Sequence, residues 1–256
     1  MKIFAILQVL VAIQTSGQQF PHPGSHAHND YVHEHPLVDA LKNGFTSIEA
    51  DVHLINGQLI VSHDNPDPKA KTLQALYLKP MDSIIRKNNG TLYPKYSQPI
   101  ILLIDVKTEA EATFSALQKT LSAFKDDLQR PGHKGAIQVV ISGNRALELI
   151  KNDPQHLTSI DGRPEDIGKG YSVDLMPVIS EAYFKISGER SATPSPKALD
   201  QIKALVAKVH AEKKQLRLWA SPDNETAWKS LIEAGVDFIN TDKLREVHQY
   251  LSRGNK

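Results

Sequence analysis

Short apolar segments of strand length alternate with longer amphipathic segments along most of this 256-residue chain. Residues 100–104 are continuously apolar, as a parallel strand buried on both faces requires. Residues 109–128 instead carry their apolar side chains on one helical stripe. Repeated strand–helix units predict a parallel sheet, and eight units in one domain close into a (β/α)8 TIM barrel.

The same patterns place the individual elements. Strands are expected at about 22–27 and at 47–54, 58–62, 100–106, 136–142, 215–220 and 237–240. Helices are expected at 72–87, 109–128, 145–151, 195–213, 226–234 and 243–251. The segment 155–195, which is rich in glycine, proline and polar residues, has to supply the remaining strands of the barrel. The prediction is therefore a single α/β domain, irregular in this segment.

The N-terminus resembles a secretory signal. Lys2 precedes an apolar run from Ile3 to Ile13, and small polar residues follow to Gly17. The run is shorter than the roughly 20 residues that span a bilayer, so no transmembrane anchor is expected. Residues 1–17 are thus predicted to be a signal peptide and 18–256 a secreted or periplasmic domain. The chain has no cysteine, which excludes disulfides and thiolate metal ligands.

Charge is nearly balanced over the chain. There are 30 basic and 29 acidic residues, a formal net charge of +1. This balance does not indicate a polyanion-binding surface, so nucleic acid is not an expected partner.

Two carboxylates interrupt the strand predicted at 47–54. Glu49 and Asp51 are two residues apart, so they project from one face of that strand. Asp105 follows the apolar run 100–104 near the end of the strand predicted at 100–106, and if the two strands are neighbours the three acids come together. Adjacent carboxylates repel unless a cation lies between them or one binds a proton. An all-oxygen set of this kind suits one divalent cation, Mg²⁺ or Ca²⁺.

Two histidines stand in turns beside the carboxylate strand. His28 and His63 are the candidate general acid and base, because imidazole titrates near neutral pH. His26 is a further candidate, for contact with substrate, and Asp64 could orient His63 or cap the following turn.

Two more residues fall at predicted strand ends, where barrel enzymes keep their active residues. Lys107 could balance charge on a phosphate oxygen or simply pair with Asp105. Trp219 could form a wall of a substrate pocket or belong to ordinary packing at the barrel mouth.

As a set, these motifs resemble the phosphatidylinositol-phospholipase-C-like phosphodiesterase barrels, a group that includes the glycerophosphodiester phosphodiesterases and the sphingomyelinase D-like enzymes. Glu49, Asp51 and His63 look like the metal-and-histidine core of that group. The pair of His28 and Asn29 is similar to the His-Asn pair of the metal-dependent phospholipases C, which implies that Asn29 is a metal ligand. The C-terminal stretch 235–242 resembles the last strand of glycerophosphodiesterases.

The departures from that pattern restrict what the resemblance implies. Glycerophosphodiesterases follow their first histidine with an arginine and later carry a Glu-Asn pair, and neither is evident here. The likeness is stronger to the branch called altered inheritance of mitochondria protein 6-like. It implies metal-assisted cleavage of a small-molecule or lipid head-group phosphodiester, without naming the head group.

Two other functions fit parts of the same pattern. The spacing of His26 and His28 is also used by zinc-dependent amidohydrolase and phosphoesterase barrels, which need further histidines at later strand ends. A secreted barrel that binds a ligand without turnover is the second alternative, because fold does not imply function.

Overall fold

The computed structural model describes residues 21–64 and 66–253. The predicted signal peptide lies outside the described residues and stays a prediction. No helix in the described part of the chain is long and apolar enough to cross a membrane.

Eight parallel strands form a nearly closed barrel with helices between them, which confirms the predicted fold. A ninth strand, β3, pairs antiparallel with the extended end of β2 and lies outside the barrel. The strands are β1 (His22–Ala27), β2 (Phe45–Ile55), β3 (Gln58–Val61), β4 (Ile100–Val106), β5 (Ile137–Gly143), β6 (Ser159–Gly162), β7 (Val178–Ala182), β8 (Gln215–Trp219) and β9 (Ile239–Thr241).

The helices cover the outside of the barrel. A π-helical turn at Gln74–Leu78 leads into α2, and a 3₁₀ turn at Ser122–Phe124 follows α3. The α-helices are α1 (Val38–Lys42), α2 (Lys79–Lys87), α3 (Ala110–Leu121), α4 (Leu147–Lys151), α5 (Tyr183–Ser187), α6 (Pro196–Ala211), α7 (Glu225–Glu233) and α8 (Leu244–Arg253).

Strand order explains how the barrel closes. The strands follow one another as β8, β7, β6, β5, β4, β2, β1 and β9. A single bridge between Arg217 and Phe238 joins the two ends of this path. Each barrel strand thus neighbours the next one along the chain, as connections through a helix favour.

The difficult segment 155–195 contains two of the barrel strands. β6 and β7 are four and five residues long, and a loop at 163–177 with one 3₁₀ turn connects them in place of an α-helix. This is why the helical periodicity expected between barrel strands is missing there.

Two apolar clusters hold the barrel. The larger one lies between the strands and the surrounding helices. The smaller one, here called the inner apolar cluster, fills the barrel and consists of Ile101, Leu103, Val140, Val178 and Phe238. Apolar residues on both faces of β4 explain its continuous apolar run.

Candidate active site

A polar cleft of about 490 Å³ opens at the C-terminal ends of the strands. The residues that line it come from most strands of the barrel, as expected for this fold. They include His28, Asn29, Glu49, His63, Asp105, Lys107 and Trp219, each predicted from the sequence, together with Ser142, Gly143, Arg145, Asp161, Arg163, Glu165, Glu181, Lys185 and Arg217.

Three carboxylates meet beside the cleft as predicted. Glu49, Asp51 and Asp105, here called the acidic cluster, offer oxygen atoms that all lie within 4.8 Å of one another. Parallel pairing of β2 with β4 sets Asp51 directly opposite Asp105, and strand alternation puts Glu49 on the same face. The register of the sheet therefore builds this cluster.

Two oxygen atoms of the acidic cluster have no partner. Asp51 Oδ1 and Asp105 Oδ1 are buried without a hydrogen bond to any described residue. Burial raises the pKa of Asp51, and although Lys107 counteracts this effect, the adjacent carboxylates add to it. Buried oxygens without a partner are costly, so this arrangement suits a cation. The donor set fits one hard divalent ion.

Lys107 already binds two members of the cluster. Its Nζ lies 2.8 Å from Asp105 Oδ2 and 3.0 Å from Asp51 Oδ2. Burial alone would lower the pKa of Lys107, but the two carboxylates raise it above the usual value. Both roles considered for this lysine are therefore compatible: it pairs with Asp105, and it also lines the cleft.

Glu49 is held by two bases at once. Arg217 Nη2 donates to Glu49 Oε2 at 2.6 Å, and His26 Nε2 lies 2.8 Å from the same oxygen. Burial would raise the pKa of Glu49, but Arg217 and then His26 outweigh it and hold the pKa well below its ordinary value. Glu49 is therefore a carboxylate, with its other oxygen, Oε1, as the available ligand atom.

The prediction of a substrate contact for His26 does not fit its position. The side chain is fully buried, and it lies between Ser47 Oγ and Glu49 Oε2. Burial first, and then the charge of Arg217, lower the pKa of His26 to about 4. His26 is therefore a neutral imidazole that donates a hydrogen bond from Nε2 to Glu49 Oε2 within the barrel. Position along β1 explains this, because His26 lies within the strand, beside Phe238 inside the barrel, whereas His28 follows the end of the strand at the rim.

Asn29 lies next to the acidic cluster. It adopts the left-handed conformation with φ 46°, which asparagine tolerates better than most residues. The hydroxyl of Tyr31 lies 2.9 Å from Asn29 Oδ1 and 2.9 Å from Asp51 Oδ2. A phenol has one proton to donate, so it can satisfy only one of these two oxygens at a time.

The two predicted catalytic histidines share one arrangement. His28 Nδ1 lies 2.7 Å from Asp242 Oδ1, and His63 Nδ1 lies 2.7 Å from Asp64 Oδ2. Burial would lower the pKa of His28, but the Asp242 hydrogen bond and the charge of Glu49 raise it overall. A carboxylate on one ring nitrogen fixes the ring and leaves the other for proton transfer.

The opposite wall of the cleft is also charged. Asp161, at the end of β6, is fully buried and accepts from Ser142 Oγ at 2.7 Å and from Arg163 Nη1 at 2.9 Å. Its second oxygen has no partner among the described residues. Arg145 donates to the carbonyl oxygen of Asp161 at 2.7 Å. This wall gives the cleft a second group of charges and hydrogen-bonding atoms.

Sequence reasoning missed Arg217 and the part played by Asp242. β8 reads Gln-Leu-Arg-Leu-Trp from 215, so its polar residues alternate with leucines that are buried. That alternation could have placed Arg217 on the same inward face as Trp219. Its pairing with Glu49 could not have been read in this way, because 168 residues separate the two.

The four histidines that follow His63 in the sequence lie away from the cleft, which weakens the zinc alternative. Among residues 21–64 and 66–253, the only group of metal-binding side chains is the acidic cluster. His210 pairs with Asp237 and His248 with His22, both at the N-terminal end of the barrel, while His133 and His156 lie in loops. The histidine-rich set that such a zinc site needs is not assembled in the part of the chain that the structure describes.

Comparisons with known proteins agree with this geometry. A profile of the AIM6-like phosphodiesterase domain matches residues 16–158, and one of the glycerophosphoryl diester phosphodiesterase family matches residues 215–245. The altered inheritance of mitochondria protein 6 homolog of Arthroderma benhamiae is 26% identical, over 88% of this chain and 82% of its own length. The altered inheritance of mitochondria protein 6 of Kluyveromyces lactis is also 26% identical, over 89% and 72%.

A solved structure shares the fold. The glycerophosphodiester phosphodiesterase from Parabacteroides distasonis superimposes with a TM-score of 0.55 at 17% sequence identity, covering 91% of this chain and 99% of that one. The profile match extends over more than half of the chain and includes β1 to β5 with the acidic cluster. The chain thus belongs to the family of AIM6-like phosphodiesterase domains.

Proposed function

We propose that this protein is a metal-dependent phosphodiester hydrolase acting on a glycerophosphodiester or phospholipid-like substrate. The observation that carries the proposal is the acidic cluster, with two partnerless buried oxygens, beside two carboxylate-paired histidines in one cleft. Family membership supports the reaction class.

One divalent cation, Mg²⁺ or Ca²⁺, would be held by Glu49, Asp51 and Asp105, with Asn29 as a fourth ligand. When bound, such an ion polarises a phosphoryl oxygen. Carboxylate and amide oxygens, without thiolate or a cluster of imidazoles, match hard cations.

His28 and His63 carry the proton transfers. One accepts a proton from the attacking group, which is water or a neighbouring substrate hydroxyl, and the other protonates the leaving oxygen. Asp242 and Asp64 hold the two rings through their Nδ1 atoms. This pairing leaves Nε2 of each ring to face the substrate.

Basic side chains would stabilise the negative charge of the phosphodiester. Lys107 lies on the side of the acidic cluster, and Arg145, Arg163 and Lys185 line the opposite side. Positive groups fixed before the reaction stabilise developing charge without reorganising, which is the main electrostatic contribution to such catalysis. Trp219, 37% exposed at the end of β8, would provide an apolar wall for the substrate.

The test is to remove metal from the protein and measure its hydrolysis of phosphodiesters. Each substrate is assayed with added Mg²⁺, with added Ca²⁺ and with a chelator. The panel contains glycerophosphodiesters, lysophospholipids, inositol phospholipids and a generic aryl diester. Metal-dependent turnover is expected, with kcat/KM lowered about a hundredfold or more in Glu49→Gln. Glu246→Gln, on the exposed face of α8, is the matched control and keeps full activity.

One set of results would contradict the proposed phosphodiesterase activity. If every diester stays intact with each metal, while the protein binds a panel compound and Glu49→Gln leaves that binding unchanged, the proposal is wrong. The barrel would then be a binding protein.

A further inference from the structure

The loop between β8 and α7 contains an acid, Asp223, that has no part in the reaction proposed above. The loop begins directly after Trp219, the last residue of β8, which lines the cleft. Asp223 lies in the same loop but does not line the cleft. Any contribution that it makes to the reaction therefore has to act through another residue.

Asp223 binds the end of β9 and the loop that follows it. Thr241 Oγ1 donates to Asp223 Oδ1 at 2.8 Å, and the backbone N of Asp242 donates to Asp223 Oδ2 at 3.2 Å. Lys243 Nζ donates to the carbonyl oxygen of Asp223 at 2.6 Å. Three consecutive residues at the rim of the barrel are therefore held by one residue of the neighbouring loop.

Asp223 is itself held by the helix that follows it. Trp228, a buried side chain of α7, donates its indole N–H to Asp223 Oδ1 at 2.8 Å. Ala220, at the start of the loop, has φ 51°, in the left-handed region that is unfavourable for a residue with a Cβ. Such a conformation persists only where the surrounding contacts fix the backbone. The loop is therefore a fixed support for the residues that Asp223 binds.

One of the residues that Asp223 holds is the acid that orients His28. His28 Nδ1 donates to Asp242 Oδ1 at 2.7 Å, and no other described residue binds this carboxylate. The side chain of Asp242 is 63% exposed. An exposed side chain on a mobile backbone would lose conformational entropy when it binds the imidazole. Fixing the backbone of Asp242 beforehand reduces that loss.

The main chain sets the distance between the two strands that meet here. Parallel pairing places Ala27 of β1 opposite Thr241 of β9, and His28 N donates to Thr241 O at 3.0 Å. The backbone of His28 is therefore in fixed register with the end of β9. Beyond Thr241, the position of the Asp242 carboxylate depends on the backbone that Asp223 binds.

We propose that Asp223 is a positioning residue for proton transfer. It holds the backbone of Asp242, so that the Asp242 carboxylate fixes the ring of His28 with Nε2 towards the substrate. The inference rests on the proposed function, because the proton transfer assigned to His28 belongs to that function. Asp223 contacts neither the substrate nor the cation, so its loss lowers kcat and leaves KM nearly unchanged.

Steady-state kinetics with the best diester of the panel tests this role. Asp223→Asn keeps the shape of the side chain but leaves one oxygen for donors that now share two, and Asp223→Ala removes both. Each variant is expected to lower kcat about tenfold and to change KM by less than about twofold. Asp237→Asn is the matched control. Asp237 Oδ2 also binds a backbone N–H, that of Leu216 at 2.7 Å, but at the N-terminal end of the barrel, so this variant should keep the wild-type kcat.

A double-mutant cycle separates positioning from a general structural defect. If Asp223 acts through Asp242, Asp223→Ala lowers kcat in the wild type but changes it by less than about twofold once Asp242→Ala is present. A defect that only loosens the fold would lower kcat by the same factor in both backgrounds. Equal factors would therefore overturn the proposal, and so would wild-type kcat in both Asp223 variants.

A proton resonance of His28 supplies a readout that needs no turnover. A ring N–H bound to a carboxylate resonates far downfield in the proton NMR spectrum, and its loss in His28→Asn identifies the signal. We expect the signal in the wild type and in Asp237→Asn, and we expect it to be lost or displaced in Asp242→Ala and in both Asp223 variants.

This readout distinguishes failure of the inference from failure of the proposed function. If no diester is hydrolysed but the resonance changes as expected, the proposed function is wrong and Asp223 still positions the His28 ring. If diesters are hydrolysed but the resonance is unchanged in both Asp223 variants, the positioning role is wrong and the proposed function stands.

Discussion

At the scale of single residues, each carboxylate of the acidic cluster contacts a base. Arg217 balances the charge of Glu49 and the neutral His26 hydrogen-bonds the same oxygen, whereas Lys107 is shared by Asp51 and Asp105. The cluster keeps a net negative charge, because two side-chain cations and a neutral imidazole face three carboxylates. Removing Arg217 or Lys107 therefore leaves a buried carboxylate without its countercharge.

Arg217→Met tests this dependence. Both Arg217 and Glu49 are at most 5% exposed, so the variant leaves a buried carboxylate held by His26 alone. We expect the free energy of unfolding to fall by about 3 kcal/mol, measured by urea denaturation. Adding Glu49→Gln to this variant should recover part of the loss, because the unpaired charge is then gone. Strictly additive losses would contradict the pairing.

The histidines allow a second prediction at this scale. His28→Asn is expected to lower kcat for the best diester about a hundredfold or more, because general acid–base catalysis contributes that much. Asp242→Asn should cause a smaller fall, since the ring stays but its orientation is no longer fixed. His210→Asn is the control, because His210 also pairs with an aspartate, at the far end of the barrel. Full activity in His28→Asn would exclude it from proton transfer.

At the scale of elements, the last residue of β5, Gly143, packs directly against Asp105 of the acidic cluster. Gly143 has φ +67°, and a Cβ added there would lie 2.0 Å from Asp105 Oδ1 and 2.4 Å from the carbonyl oxygen of Val106. Glycine is required at this position for its conformation and for the space that Asp105 occupies.

Gly143→Ala is expected to displace Asp105 and to lower both cation affinity and turnover. Gly188→Ala is the matched control, because Gly188 has φ +70° and nothing within 4 Å of an added Cβ. Both variants should lose about 1 kcal/mol of stability from the left-handed conformation, and Gly143→Ala should lose more because its Cβ also meets the backbone of Val106. Only Gly143→Ala should also weaken cation binding, measured by calorimetry. Equal cation affinity in the two variants would contradict the role given to this glycine.

The loop after β1 has a buried acid that makes stability depend on pH. Asp30 is fully buried and accepts from Leu37 N at 2.6 Å and from the Tyr77 hydroxyl at 2.9 Å. Burial, only partly offset by these bonds, raises the pKa of Asp30 from 3.8 to about 6. The folded state therefore binds the proton more tightly, and the contribution of Asp30 to stability falls as pH rises from about 4 to about 6.

Asp30→Asn should remove this dependence. The unfolding free energy of the variant, relative to the wild type, is expected to rise by about 2 to 3 kcal/mol between about pH 4 and pH 7. Comparison with the wild type is essential, because His26, with its pKa lowered to about 4, has the opposite dependence over the same interval. Asp200→Asn, exposed on α6, is the control. A constant difference between Asp30→Asn and the wild type would show that Asp30 is not responsible.

At the scale of the whole molecule, the acidic cluster links strands that are distant in sequence. β2 and β4 carry the carboxylates, and Arg217 on β8 joins them across the barrel. A ligand that binds this arrangement and not the unfolded chain stabilises the entire fold.

Mg²⁺ or Ca²⁺ should therefore raise the midpoint of thermal unfolding, and a chelator should reverse the rise. At a cation concentration of about 100 times Kd, the stabilisation is expected to be about 2.7 kcal/mol. Differential scanning calorimetry of the wild type and of Asp51→Asn measures it, and the variant should show little change. A similar rise in both proteins would place the cation elsewhere.

The fold and most of the cleft could be predicted from local patterns. The bounds predicted for β4, 100–106, agree with the structure, because a continuous apolar run is typical of a strand that is buried on both faces. The short strands β6 and β7 were not resolved individually, because four or five residues between irregular loops carry little periodicity. The two-residue spacing of Glu49 and Asp51 was sufficient to place them on one face.

The sequence by itself determined which residues alternate in and out of the barrel wall, and therefore which acids and histidines stand at strand ends. Only the tertiary structure decided which of them meet. Arg217 reaches Glu49 and His28 reaches Asp242 because strand order brings β8 and β9 beside β1 and β2. His26 is buried and His28 faces the cleft because depth in the barrel depends on the register between strands. Such long-range pairings leave no local pattern in the chain.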